Sequence, residues 1–235
     1  MKTAAAVLRI AALAAALAGL QPAHAAEDYS PAERALFMTD HLAGVKTPGR
    51  IGYAYRKSGS LEAGFDDRIE LTMRARTGGG CCSAQAEFLS GARRLALPEV
   101  EAAQGNPVVL YFLERDIREM QRLTKGQPNY FRKRIRMAVY QGATLREVKL
   151  PWRGGEVAGR EITIAPYLDD PLRVRFESLA VKRYVFTLSE AVPGGVYAMR
   201  SEVAGATPQA APLLVEELRL DGVTALPSDP PKRSP

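Results

Sequence analysis

The chain has 235 residues, 25% of them charged and 46% hydrophobic, with a formal net charge of +6. That length suits one domain, or at most two small ones, and the charge is too small to argue for a nucleic-acid partner. Two cysteines and two histidines leave too few soft ligands for a transition-metal site, and no metal or other cofactor is expected.

Residues 1–25 begin with Lys2 and Arg9, continue through an Ala-rich apolar core and end in Ala23-His24-Ala25. This is the pattern of a secretory signal peptide cleaved after Ala25. The core from Ile10 to Leu20 is too short to span a bilayer, so an integral membrane protein is not expected. Loss of Lys2 and Arg9 lowers the formal charge from +6 to +4. The expected product is a periplasmic protein beginning at Ala26, with one β-rich domain over 26–225 and a disordered tail over 226–235.

Ser30-Pro31-Ala32-Glu33 is a capping box with Pro at the first helical position, predicting a short helix to about Ala43. Pro48-Gly49 ends it, and Ile51, Tyr53 and Tyr55 then alternate with smaller or polar residues as a strand. Around the next strand, Ile69, Leu71, Met73 and Ala75 share one face, opposite Arg68, Glu70, Thr72, Arg74 and Arg76. Strict alternation means one buried and one wet face, as in an antiparallel sheet. After Gly78-Gly79-Gly80, Cys82, Ala84, Ala86 and Phe88 alternate again, and a fourth strand is read over Arg93–Leu97.

Asn106 can cap a long helix with Pro107 at its start and Gly126 at its end. Leu110, Leu113, Ile117 and Met120 make its apolar stripe, and Glu114 with Arg118 an i,i+4 pair on the wet side. Residues 130–140, YFRKRIRMAVY, fit a helix or a strand; Pro128-Asn129 before them and Gly142 after them favour a helix. Together these make a helical insertion at about 106–141. Strands return over Leu145–Trp152 and Val157–Ala165, joined by a longer loop at 153–156. Val181–Leu188, Val196–Val203 and Leu213–Leu220 follow, with Pro193-Gly194-Gly195 as a turn. About ten short strands result. The fold class is α+β: a mostly antiparallel, curved, half-barrel-like sheet with a short N-terminal helix and a helical pair on its concave side.

Several groups could carry chemistry. Cys81-Cys82 could form a vicinal disulfide, given the glycines before it; free thiols or a bond to another chain stay open. His41, the single histidine after residue 25, reads as a capping or surface group at a helix end. Asp66-Asp67 and Asp169-Asp170 read as solvated turn carboxylates. Arg132, Lys133, Arg134 and Arg136 form a basic patch suited to anionic lipid or an acidic protein surface, or simply a solvated face. No catalytic signature is present, so no catalytic residue is assigned.

The order of signal peptide, short helix, strand meander, long helix pair and second meander resembles the periplasmic lipoprotein-carrier (Lol-type) fold. The resemblance implies an open half-barrel lidded by helices around an apolar cavity. It is one of layout and carries no residue role over; jelly-roll and tandem-sandwich folds stay open. An apolar, lipid-like ligand would then lie among Tyr53, Tyr55, Met73, Ala84, Ala86, Leu113, Ile117 and Met120, with small inward residues leaving the room. The reading is a non-catalytic carrier; the alternatives are an accessory protein docking on an envelope protein partner, and an enzyme whose site leaves no motif.

Overall fold

A computed structural model describes residues 29–76, 82–207 and 209–222. The expected signal segment, the expected tail and Cys81 lie outside the described residues.

Among the described residues, nine antiparallel strands form one open, curved sheet. They are β1 (Gly49–Ser58), β2 (Phe65–Ala75), β3 (Cys82–Phe88), β4 (Val100–Ala103), β5 (Thr144–Trp152), β6 (Gly155–Ile164), β7 (Arg183–Leu188), β8 (Val196–Val203) and β9 (Leu214–Leu220). Their spatial order is β4-β3-β2-β1-β9-β8-β7-β6-β5. The first meander therefore runs from β1 at the centre out to the β4 edge, and the second runs from the β5 edge inward to β9, which pairs with both β1 and β8 and joins the two. The chain crosses from the β4 edge to the β5 edge through two helices, α2 (Val108–Thr124) and α3 (Pro128–Gln141). The sheet class, its curvature and the helical pair agree with the sequence reading; the fold is α+β with a half-barrel-like sheet.

Several local expectations are corrected. The first helix, α1 (Pro31–Glu33), has the full capping box but widens into a π turn over Arg34–Met38 and stops there, well before Ala43. The Thr39 hydroxyl donates to the Arg34 carbonyl at 3.0 Å, so a side chain takes part in closing the turn. The fourth strand is Val100–Ala103, not Arg93–Leu97, of which Leu95 makes a single bridge to Phe88. The β5–β6 connection is a two-residue turn, not a longer loop: Trp152 pairs with Gly155, and Arg153 and Gly154 have φ of 49° and 83°. Two consecutive positive φ values fit the twist of a type I′ hairpin. The strand read from Val181 begins at Arg183, and Val181 instead ends the short 3-10 turns of Arg173–Val181.

On α2, Asn106 Oδ1 accepts the Val108 N–H at 3.1 Å, as a cap should. The left-handed residue closing the helix is Lys125 (φ 59°), not Gly126. Gly126 is needed for space instead, since a Cβ there would lie 2.5 Å from the Phe131 ring. Leu110 is 55% exposed and leaves the predicted stripe. The buried face instead centres on Val109, Leu113, Asp116 and Met120, rotated away from Leu110. Ala75, read as inward, is exposed at the end of β2.

Candidate functional site

The interior between sheet and α2 was the expected ligand cavity. Tyr53, Tyr55, Met73, Ala84, Ala86, Leu113, Ile117 and Met120 do come together there, all buried in one core. None of them lines either of the two clefts described below. The small residues Ala84 and Ala86 oppose Met73 and Leu71 across β2–β3, so the neighbours fill the space they leave.

Beside these apolar rows runs a polar row that the sequence reading missed. Tyr184 in β7 pairs with Ser201 in β8, Ser201 with Glu216 in β9, and Glu216 with Lys57 in β1. All four are buried. From above, α2 adds Arg115, Asp116 and Glu119. Asp116 forms an ion pair with Lys182, both fully buried, and accepts from Tyr184 Oη at 2.5 Å and Ser201 Oγ at 3.3 Å. Arg115 reaches Glu216 at 3.0 Å and lies 5.5 Å above the Tyr55 ring. Lys57 Nζ donates to Glu119 at 2.6 Å and to Glu62 at 2.7 Å, and Arg122 bridges the same two carboxylates.

The titrations follow from this packing. Burial raises the Glu119 carboxyl, but hydrogen bonds and charge from Arg122 and Lys57 outweigh it and hold the pKa at about 2. Glu216 is pushed up, because burial outweighs the Arg115 and Lys182 charges opposing it. Burial, with Asp116 alongside, drives the Tyr184 phenol well above its usual range. Desolvated charges of this kind persist only when paired and hydrogen-bonded, so the row pins α2 to the sheet. A signal for it was legible: Lys57 is in phase with Ile51, Tyr53 and Tyr55, and Glu216 with Leu218 and Leu220.

An open cleft of about 960 Å³ lies elsewhere. Its walls are the 39–46 loop, the β5–β6 hairpin and the β7–β8 connection. Ala43, Val45, Trp152, Leu188 and Val192 give it apolar surface; Lys46, Arg153, Arg160, Asp40, Glu147 and Glu190 make a charged rim of both signs. A second cleft of about 440 Å³ lies around Arg56, Ser60 and Arg200.

Asn106 and His41 hold the larger cleft in shape. The Asn106 amide donates to Tyr53 Oη and to the Gly194 carbonyl, both at 2.8 Å. His41 Nε2 lies 2.9 Å from the Ala35 carbonyl, and the Asn106 N–H donates to Nδ1 at 3.2 Å. Those partners require the neutral Nε2–H tautomer, and burial lowers the imidazole pKa against the Ala35 bond and the Asp40 charge. The expected protonated cap at a helix end is therefore corrected to a neutral ring wedged in a turn. Gly195 must be glycine here, with φ of 71° and the ring so close that a Cβ would lie 2.8 Å from it.

The predicted basic patch divides. Arg132 is spent on Glu114 at 2.8 Å, and Arg134 on buried Asp170 at 2.7 Å. Lys133 and Arg136 stay on the outer face of α3. Asp170, read as a solvated carboxylate, is instead 2% exposed and also accepts from Tyr130 Oη at 2.6 Å. Asp66 pairs with Arg56 at 2.6 Å and Asp67 with Arg93 at 3.2 Å. Cys82 is buried at the head of β3 and disulfide-bonded. Cys81 lies outside the described residues, so the vicinal pair stays a proposal. Among the described residues, no group of three or more His, Cys, Asp or Glu could hold a metal ion. No described helix is long and apolar enough to cross a membrane.

No protein-family model matches the chain, and no curated protein matches it. Among solved structures it is similar to the crystal structure of the Mycobacterium tuberculosis lipoprotein LppX, at 8% identity and a TM-score of 0.31. That similarity covers 77% of this chain and 90% of that one. A likeness of that strength carries no argument about what this chain binds.

Proposed function

We propose that this is an exported, non-catalytic binding protein for an apolar, lipid-like ligand, held in the cleft beside Trp152 rather than between sheet and α2. The observation that carries the reading is the cleft itself. Its volume of about 960 Å³ is of the size that takes a small organic guest. Its apolar wall suits an acyl chain, where each buried methylene contributes about 0.8 kcal/mol. A rim of mixed charge can meet a polar head group. The interior under α2 is supported less, because desolvated ion pairs occupy it.

Trp152 is the single tryptophan, which gives a direct test. Titrating the protein with a lysophospholipid or fatty acid is expected to shift Trp152 emission saturably. Ala158→Phe, on the exposed side of the cleft wall, is expected to remove the saturable response while leaving the melting temperature unchanged. No saturable shift in the wild type, with no lipid in the purified protein, would end the carrier reading.

Export rests on residues 1–25. The expected N-terminus of the exported product is Ala26; an intact Met1 there would refute it.

A further inference from the structure

We propose that the outer face of α3, with the segment 168–175 beside it, docks on an anionic bilayer surface. The two pieces form one surface because buried contacts tie them together. Arg134 of α3 pairs with Asp170 at 2.7 Å, and Tyr130 donates to the same carboxylate at 2.6 Å. The Phe176 ring lies 5.7 Å from Phe131 and 6.1 Å from Tyr130.

The charge on this surface is one-sided. α3 contains no acidic residue, and its exposed cations Lys133 and Arg136 have no partner among the described residues. Arg173 and Arg175 are exposed and equally unpaired. Four free cations thus outnumber the one exposed acid of the segment, Asp169, and the exposed Glu177 just beyond it. Apolar side chains stand singly among the cations: Met137 and Tyr140 on α3, Leu172 and Val174 on the segment, Val174 at 84% exposure. Single projections between cations offer no groove to a peptide. They suit a headgroup layer, where cations meet phosphates while Tyr, Met and Val reach the acyl boundary. The cations Arg132 and Arg134 contribute no free charge, being committed to Glu114 and Asp170.

The test is co-sedimentation with vesicles of phosphatidylcholine alone and of phosphatidylcholine with phosphatidylglycerol in equal parts. Binding is expected only to the anionic vesicles and to weaken at high salt. A cation near such a surface is worth roughly five-fold in partitioning, so Lys133→Ala with Arg136→Ala should weaken binding on the order of 25-fold. Val174→Asp should also weaken it. Lys149→Ala removes an exposed cation of β5 that pairs with Glu156 and belongs to neither α3 nor the 168–175 segment, and should change binding little. All variants are at exposed positions, and unchanged melting curves confirm their fold. Equal binding to both vesicle types, or an equal loss in Lys149→Ala, overturns the proposal. So does a wild type that ignores vesicles and binds only an acidic protein.

Discussion

Lys182→Met is expected to lower the unfolding free energy by about 3–5 kcal/mol, the cost of leaving a buried charge without its partner. Lys182 and Asp116 are both fully buried, so the carboxylate left behind would have no contact with solvent. The Tyr184 and Ser201 hydroxyls would still donate to Asp116, but neither carries charge. Combining Lys182→Met with Asp116→Leu is expected to recover much of the loss, because no orphaned charge then remains. Urea unfolding of the two single variants and the double completes the cycle. A loss below about 1 kcal/mol for Lys182→Met, the range of an exposed pair, would mean that the pair is hydrated and does not pin α2.

The second large effect is Ile117→Asp, expected to cost about 4 kcal/mol, while Arg118→Ala and Leu110→Asp stay within about 1 kcal/mol. Ile117 is 4% exposed against the sheet, whereas Leu110 is 55% exposed. Arg118 makes only a 3.5 Å pair with Glu114, its side chain half in water. Thermal melts compare the three. Similar losses for Ile117→Asp and Leu110→Asp would mean that α2 docks by the predicted stripe and not by the rotated face.

That rotation shows where the reading of the sequence succeeded and where it stopped. The existence of α2 was plain from spacing, because an amphipathic period of 3.6 survives a shift of the stripe by one position. Which side of α2 meets the sheet was not plain. Asp116 and Glu119 look like wet-side charges until Lys182 and Lys57 are placed against them from distant parts of the chain. The same holds for the basic run on α3. Its composition announces four cations, yet Glu114 and Asp170 claim two of them from other segments.

By itself the sequence determined the α+β class, the alternation that makes β1, β2 and β3 one-sided strands, and the helical pair between two meanders. These are local properties, set by backbone propensity and by the period of apolar residues. Tertiary structure alone decided that β9 joins β1, because strand pairing depends on contacts far apart in the chain. That pairing aligns Lys57, Glu216, Ser201 and Tyr184 in one buried polar row beside the apolar core under α2. It also decided the cleft, whose walls come from three segments around Asp40, Trp152 and Val192. No spacing rule connects such segments, since only the curvature of the finished sheet brings them face to face.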